Sequence, residues 1–238
     1  MIDIGVNLLH PQFDPDRPAV IARARKAGLT GMLVTATDLD TTAAAIQCTA
    51  DHADLRCTAG VHPHDASRAP ADLSDRLRDY ARCEAVAAIG EIGLDFNRNF
   101  SPEPIQRQVF EAQLALAAEL GSPVFVHDRD SDGAVAEALT RYADKLPHIV
   151  VHCFTGSKED LDGYLKLGCF IGITGWVCDQ RRGQPLREFV GSIPLERLMI
   201  ETDAPFLLPQ NVPAGWHADH QPTHSRRRNE PALLRWVA

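Results

Sequence analysis

The chain has 238 residues, 45% hydrophobic and 24% charged, enough apolar mass for one large core in the upper size range of a single domain. A formal charge of −8 argues against a protein that coats long duplex DNA, since such binding is dominated by Lys and Arg neutralising phosphates; a local basic rim stays compatible with it. The six scattered cysteines lack the close pairing of a zinc knuckle or small disulfide framework, and no basic leader or membrane-length apolar stretch is present, so the expectation is a cytoplasmic monomer with reduced thiols and no membrane association.

Short β-rich runs alternate with helical periodicity, the pattern of repeated β-α units around a parallel sheet. Strands are predicted at Ile2 to Asn7, Gly31 to Thr37, Leu55 to Val61, Val86 to Glu91, Pro123 to His127, Ile149 to His152, Gly168 to Ile173 and Leu198 to Glu201. A helix is predicted from Glu103 to Leu120, with Ile105, Val109, Ala112, Leu116 and Leu120 on its apolar stripe, a cap at Ser101 and Pro102, and a stop at Gly121 and Pro123. Pro209 to Ser225 has no periodicity and reads as a long loop over the catalytic face, and Asn229-Glu230-Pro231 opens a last helix.

A closed barrel brings the carboxyl ends of its parallel strands to one rim. Asn7, His62, Glu91, His127, His152 and Asp203 stand at or just beyond six predicted strand ends, so folding would gather them into one site.

In Gly60-Val61-His62-Pro63-His64 the proline ends ladder pairing, and the two histidines share a side of an extended chain. His62 reads as functional, while His64 is balanced between a role in the site and a hydrogen-bonded rim residue. Glu91 lies in the apolar run Ala88-Ile89-Gly90-Glu91-Ile92, where an unpaired buried charge is costly. Lys and Arg are absent from the matching ends of the predicted strands, and histidines are present, which favours a metal. His127 and His152 each close a run of apolar residues and complete a nitrogen, nitrogen, oxygen donor set with Glu91.

Glu201 and Asp203 end the last strand, and period-two alternation puts them on one side only if the chain stays extended. Asp203, nearer the rim, is read as the catalytic acid/base, because a carboxylate beside a metal can take a proton from water. Glu201 is read as structural. Arg227 and Arg228, in a run of three arginines after the long loop, are expected to hold substrate phosphate, and Arg181 with Arg182 to be surface residues.

The motifs Gly60-Val-His62-Pro-His64, Ala88-Ile-Gly-Glu91-Ile-Gly-Leu-Asp95-Phe, Val151-His152-Cys-Phe-Thr-Gly156, Gly172-Ile-Thr-Gly175-Trp-Val-Cys-Asp179, Ile200-Glu-Thr-Asp203-Ala-Pro205 and Arg227-Arg-Asn-Glu-Pro231 resemble, in order and across the chain, the TatD family of metal-dependent nucleases within the amidohydrolase-like superfamily. The resemblance implies a (β/α)8 TIM barrel, a divalent cation on Glu91, His127 and His152 with Asp203 contributing to the metal site and catalysis, and hydrolysis of DNA phosphodiesters from the 3′ end of single strands. Action on RNA and a role in DNA repair are also implied. Magnesium is the family inference for the ion, whereas the mixed donors also suit zinc or manganese. His62 and His64 would contact phosphate or assist the leaving oxygen.

Two departures stand out. Most members carry Asp-x-His-x-His on the first strand, whereas this chain reads Asp3-Ile4-Gly5-Val6-Asn7, so one metal position is expected to be weak or empty. The family also continues past the Asn-Glu-Pro helix, so the expectation is one catalytic domain over residues 1–238 lacking that last helical segment. Two rival readings are a metal-dependent hydrolase of a small amide, lactone or phosphoester on the same barrel, and a non-catalytic metal-binding protein. The first wants a carbamylated lysine at a strand end, which is absent; Asp203 argues against the second.

Overall fold

The computed structural model describes residues 1–216 and 228–238; Arg227 and most of the loop up to Ser225 lie outside the described residues. Eight strands run β1 (Ile2–Val6), β2 (Gly31–Val34), β3 (Leu55–Ala59), β4 (Val86–Asp95), β5 (Val124–Arg129), β6 (Ile149–Val151), β7 (Phe170–Ile173) and β8 (Leu198–Ile200). Each pairs in parallel with the next, so sheet order follows chain order. The seam between β8 and β1 is closed by a parallel bridge from Val6 to Ala204, with the Asp203 N–H donating to Gly5 O at 2.9 Å and the Asn7 N–H to Ala204 O at 2.8 Å. The architecture is therefore the (β/α)8 TIM barrel, whose functional face is the rim of strand carboxyl ends.

Between the strands lie α1 (Arg17–Lys26), α2 (Leu39–Ala50), α3 (Leu73–Tyr80), α4 (Glu103–Leu120), α5 (Ala134–Thr140), α6 (Lys158–Lys166) and α7 (Gln184–Phe189). They ring the outer face of the barrel while strand side chains fill its interior, so both faces of the parallel sheet are buried. One core cluster joins Ile89, Ile92, Val124, Val126, Ile149 and Ile171 to Phe110, Leu114, Leu139 and Leu161 from the helices. Among the described residues no helix is long and apolar enough to cross a membrane.

The helix α4 has the predicted bounds, and Gly121 ends it in the left-handed conformation at φ 61°. Its orientation differs from expectation. Val109, Leu116 and Leu120 pack in the seam formed by Leu73 and Leu77 of α3 with Ala59 and Val61 at the end of β3, and Ile105 is exposed, while the neighbouring inward face carries Gln106, Phe110, Gln113, Leu114 and Ala117. Ser101 is no cap: its hydroxyl donates to His64 O at 3.0 Å and accepts from the Ser67 N–H, tying down the turn that follows His62.

Glu91 also sits differently from the sequence expectation. The strand β4 continues through Asp95, and its register against β5 slips between Ile89 and Ile92. Glu91 thus occupies an irregularity inside a strand, a position at which a bulge re-aims a side chain.

Candidate metal centre

A cavity of about 550 Å³ opens at the carboxyl-end rim, and Asn7, His62, His64, Glu91, His127, His152 and Asp203 all line it. Asp95 joins them. The fold thus brings to one place residues from within β4 and β5 and from just beyond β1, β3, β6 and β8.

Glu91 is the hub. Its Oε1 lies 3.2 Å from His62 Nε2, 2.9 Å from His127 Nδ1 and 2.8 Å from His152 Nε2. Burial would raise this carboxyl, but His152, His62 and His127 around it hold it well below the usual range. Burial likewise opposes charge on His127, yet Asp95 and Glu91 raise it to about 9, and the Glu91 and Glu201 carboxylates lift His152 well above the ordinary histidine value. Both rings are thus pushed toward the imidazolium form, the charge that a divalent cation would bring to the same acids.

The donor set fits such an ion. His152 Nδ1 is 3.3 Å from Glu201 Oε2 and His127 Nε2 is 3.5 Å from Asp95 Oδ2, so a carboxylate stands behind each ring while the opposite nitrogen faces Glu91. Carboxylates in that position fix the tautomer and basicity of metal-ligating histidines. Ligand atoms of His62, Glu91 and His127 also lie within 4.8 Å of one another. His62, however, accepts the His64 N–H on Nδ1 at 3.1 Å, which places the proton of its neutral ring on Nε2 and makes that nitrogen a donor. Burial keeps the ring neutral, pushing it down to about 4.

The last strand resolves the two acids. Asp203 turns into the left-handed region at φ 51°, uncommon for a residue other than glycine, and its Oδ1 accepts from Asn7 Nδ2 at 2.8 Å. Burial, with Glu91 and Glu201 nearby, pushes its carboxyl up to about 7. Glu201 is fully buried without Lys or Arg as an ion-pair partner among the described residues: it faces His152 and accepts the Cys153 N–H on Oε1. Room for its carboxylate comes from two glycines. A Cβ on Gly5 would lie 2.1 Å from Glu201 Oε2, and one on Gly172 would lie 2.5 Å from Oε1. The first-strand departure thus has a structural counterpart, since Glu201 fills the space where a side chain at position 5 would begin.

The model of the family described as TatD related DNase matches residues 2–238. This chain belongs to the TatD-related DNase family. Among the family's curated relatives, the 3′-5′ ssDNA/RNA exonuclease TatD of Enterobacter lignolyticus (strain SCF1) is 53% identical over 234 residues, covering 98% of this chain and 87% of the relative. Two solved TatD structures superpose over the whole chain at 28% identity: the TatD family hydrolase of Entamoeba histolytica at a TM-score of 0.86, with 88% of that chain covered, and a TatD homologue of Escherichia coli K12 at 0.84, with 87% covered.

The family's Asn-Glu-Pro motif serves structure here. Asn229 Nδ2 donates to Thr202 O at 2.8 Å and to Phe206 O at 2.7 Å, clamping the turn that carries Asp203. Arg228, expected to hold substrate phosphate, is instead 3% exposed and pairs with Asp16 Oδ2 at 2.7 Å and Glu230 Oε1 at 2.8 Å, its guanidinium over the Phe13 ring. It does not line the cavity. The reason is local: fully buried Glu230 needs a cation, and Arg228 and Arg23 supply it. The arginines that do line the cavity are Arg98, Arg129 and Arg182, the last from the pair expected to be plain surface.

Two further residues escape a reading by apolar periodicity because they are buried polar groups. Gln113 accepts the Val61 N–H at 2.7 Å and donates to Val61 O at 3.0 Å; Gln106 does the same for Asp95, at 2.8 and 3.0 Å. The barrel-facing side of α4 thereby fixes the backbone beside His62 and at Asp95. Asp95 had a signal, its place four residues after Glu91 in the same apolar run; it accepts from His64 Nε2 at 2.6 Å and from the Asn97 and Arg98 N–H groups.

Proposed function

We propose that this protein is a divalent-metal-dependent 3′–5′ exonuclease of single-stranded DNA, acting also on RNA, as a cytoplasmic monomer with a role in DNA repair. The observation that carries the reading is the convergence of three imidazoles on one oxygen of Glu91 beside Asp203, in a chain about half identical to exonucleases of that description. Six free cysteines accord with the cytoplasm.

Glu91, His127, His152 and Asp203 would hold the cation, with magnesium, the ion the family resemblance implies, as the working ion; the mixed imidazole and carboxylate donors also suit zinc or manganese. When bound, the cation supplies positive charge that polarises a phosphoryl oxygen and eases deprotonation of water. Asp203, steadied through Oδ1 by Asn7, takes the proton of the attacking water on Oδ2. The His62 Nε2–H donates a hydrogen bond to a phosphoryl oxygen, and His64, with Nε2 held on Asp95 Oδ2, passes a proton from Nδ1 to the departing 3′ oxygen.

The test is a 3′-labelled and a 5′-labelled single strand incubated with Mg, Mn or Zn, using the wild type, Glu91→Ala and Asp203→Asn. A ladder that shortens from the 3′ end in the wild type and vanishes in both variants is expected; equal rates in all three proteins would overturn the assignment.

A further inference from the structure

The indole of Trp176 gathers two cations at the mouth of the cavity. Arg129 Cζ lies 5.1 Å and Arg182 Cζ 4.3 Å from the ring centroid, and all three residues line the same space as Glu91 and Asp203. They come from separate elements. Arg129 ends β5, Trp176 stands in the turn Gly175–Cys178 after β7, and Arg182 follows that turn.

Both guanidiniums are held from behind. Arg129 Nη1 donates to Thr155 Oγ1 at 2.8 Å, with the Asp130 carboxylate at 3.9 Å from its Nε. Arg182 is anchored on Asp179, whose Oδ1 also accepts the backbone N–H groups of Arg181 and Arg182 and whose Oδ2 accepts from Gln210. A guanidinium has five donors in a fixed fork, so these hydrogen bonds leave each one donors for a further acceptor. Two like charges drawn to one ring repel each other, and in an acidic chain such a pair at an active-site mouth is complementary to an anion.

We propose that Arg129, Trp176 and Arg182 form a backbone subsite that grips the first phosphodiester upstream of the scissile one, the two arginines as donors and the indole as the platform that orients them. This rests on the exonuclease reading: when cleavage proceeds from a 3′ end, every phosphate beyond the scissile one lies on its 5′ side. The subsite reads backbone and not base, which matches a nuclease that works through any sequence.

The experiment uses a single-stranded oligonucleotide whose upstream phosphodiester is either normal or replaced by an uncharged methylphosphonate. Each is cleaved by the wild type, Arg182→Ala, Arg129→Ala, Trp176→Leu and Trp176→Phe. Removing a charge-assisted hydrogen bond should raise KM about tenfold. The methylphosphonate should do the same to the wild type, and combining it with either arginine variant should add little. The salt dependence of binding should flatten by about 0.7 in log–log slope for each phosphate that a variant no longer neutralises. Trp176→Leu should behave like the arginine variants, with Trp176→Phe recovering most of the affinity. Additive effects of methylphosphonate and arginine removal, or a KM indifferent to the methylphosphonate, would overturn the subsite while the wild type still shortens the normal strand. A wild type that leaves the normal strand intact would overturn the exonuclease reading and the subsite with it.

Discussion

Glu201 and Gly5 are complementary in volume: the carboxylate stands where a side chain at position 5 would begin, 2.1 Å from the Cβ that Gly5 lacks. Gly5→Ala must therefore displace a fully buried acid, and overpacking of this kind costs about 1–3 kcal/mol. In a Glu201→Ala background the same change should cost at least about 1 kcal/mol less, a coupling that a double-mutant cycle in urea unfolding measures directly. Identical costs in the two backgrounds would show that the two positions do not compete for space.

Glu201 also backs His152, through a 3.3 Å approach to Nδ1. Glu201→Gln keeps the shape but removes the charge that fixes the ring, and changes of this sort weaken metal binding roughly 10–100-fold. Calorimetric titration with Mn should register that weakening; an affinity equal to the wild type would reduce Glu201 to packing.

The barrel and the gathering of the site were legible in the sequence because both rest on local patterns. Apolar runs closing on His127 and His152 announce their strands, and parallel closure does the gathering. What was not legible depends on interactions between distant segments. Glu230 is only two residues from Arg228, but its full burial, and the claim on the same guanidinium by Asp16, 212 residues away, come from the tertiary fold. The stripe on α4 was real but faced the seam between α3 and the end of β3, since a helix packed on two neighbours has two inward faces, and the other one carries glutamines that periodicity counts as polar. Glu201 looked like a spare acid because its carboxylate space is made by glycines on β1 and β7, which only the closed barrel brings beside it.

Gln113 should prove more important to the site than its residue type suggests. Gln113→Leu preserves bulk but leaves the N–H and C=O of Val61 without their partner. Each unsatisfied buried group costs about 1–3 kcal/mol, so with two such groups a loss of about 2–6 kcal/mol is expected in denaturant unfolding. Since Val61 adjoins His62, kcat on an oligonucleotide should fall too; wild-type stability and turnover together would contradict this pinning role.

Arg228→Ala should destabilise the fold by about 3 kcal/mol, because removing one partner leaves Glu230 and Asp16 with Arg23 alone. Burial would raise the Asp16 carboxyl, but Arg228 and Arg23 hold it below its ordinary value. A depressed carboxyl contributes stability above its unfolded pKa, and that contribution is lost as pH falls through the folded one. The gap between wild type and variant in urea midpoint should therefore narrow as the solution is acidified below the ordinary aspartate range. A gap that widens on acidification would contradict the ion-pair account.

Cation binding should be coupled to proton release. Burial opposes charge on His127, but Asp95 and Glu91 raise it to about 9, and His152 is raised as well, so both rings carry protons at neutral pH that a cation must displace. Below about pH 9 the apparent affinity for Mn should climb with pH, by up to about tenfold per unit for each proton released. Calorimetry at pH 7 in buffers of different ionisation enthalpy would count those protons as the slope of observed heat against buffer heat. His127→Asn should remove part of that slope, because an amide carries no proton to give up. A wild-type slope of zero would mean that the rings are already neutral and that Glu91 is held ionised by something other than imidazolium charge.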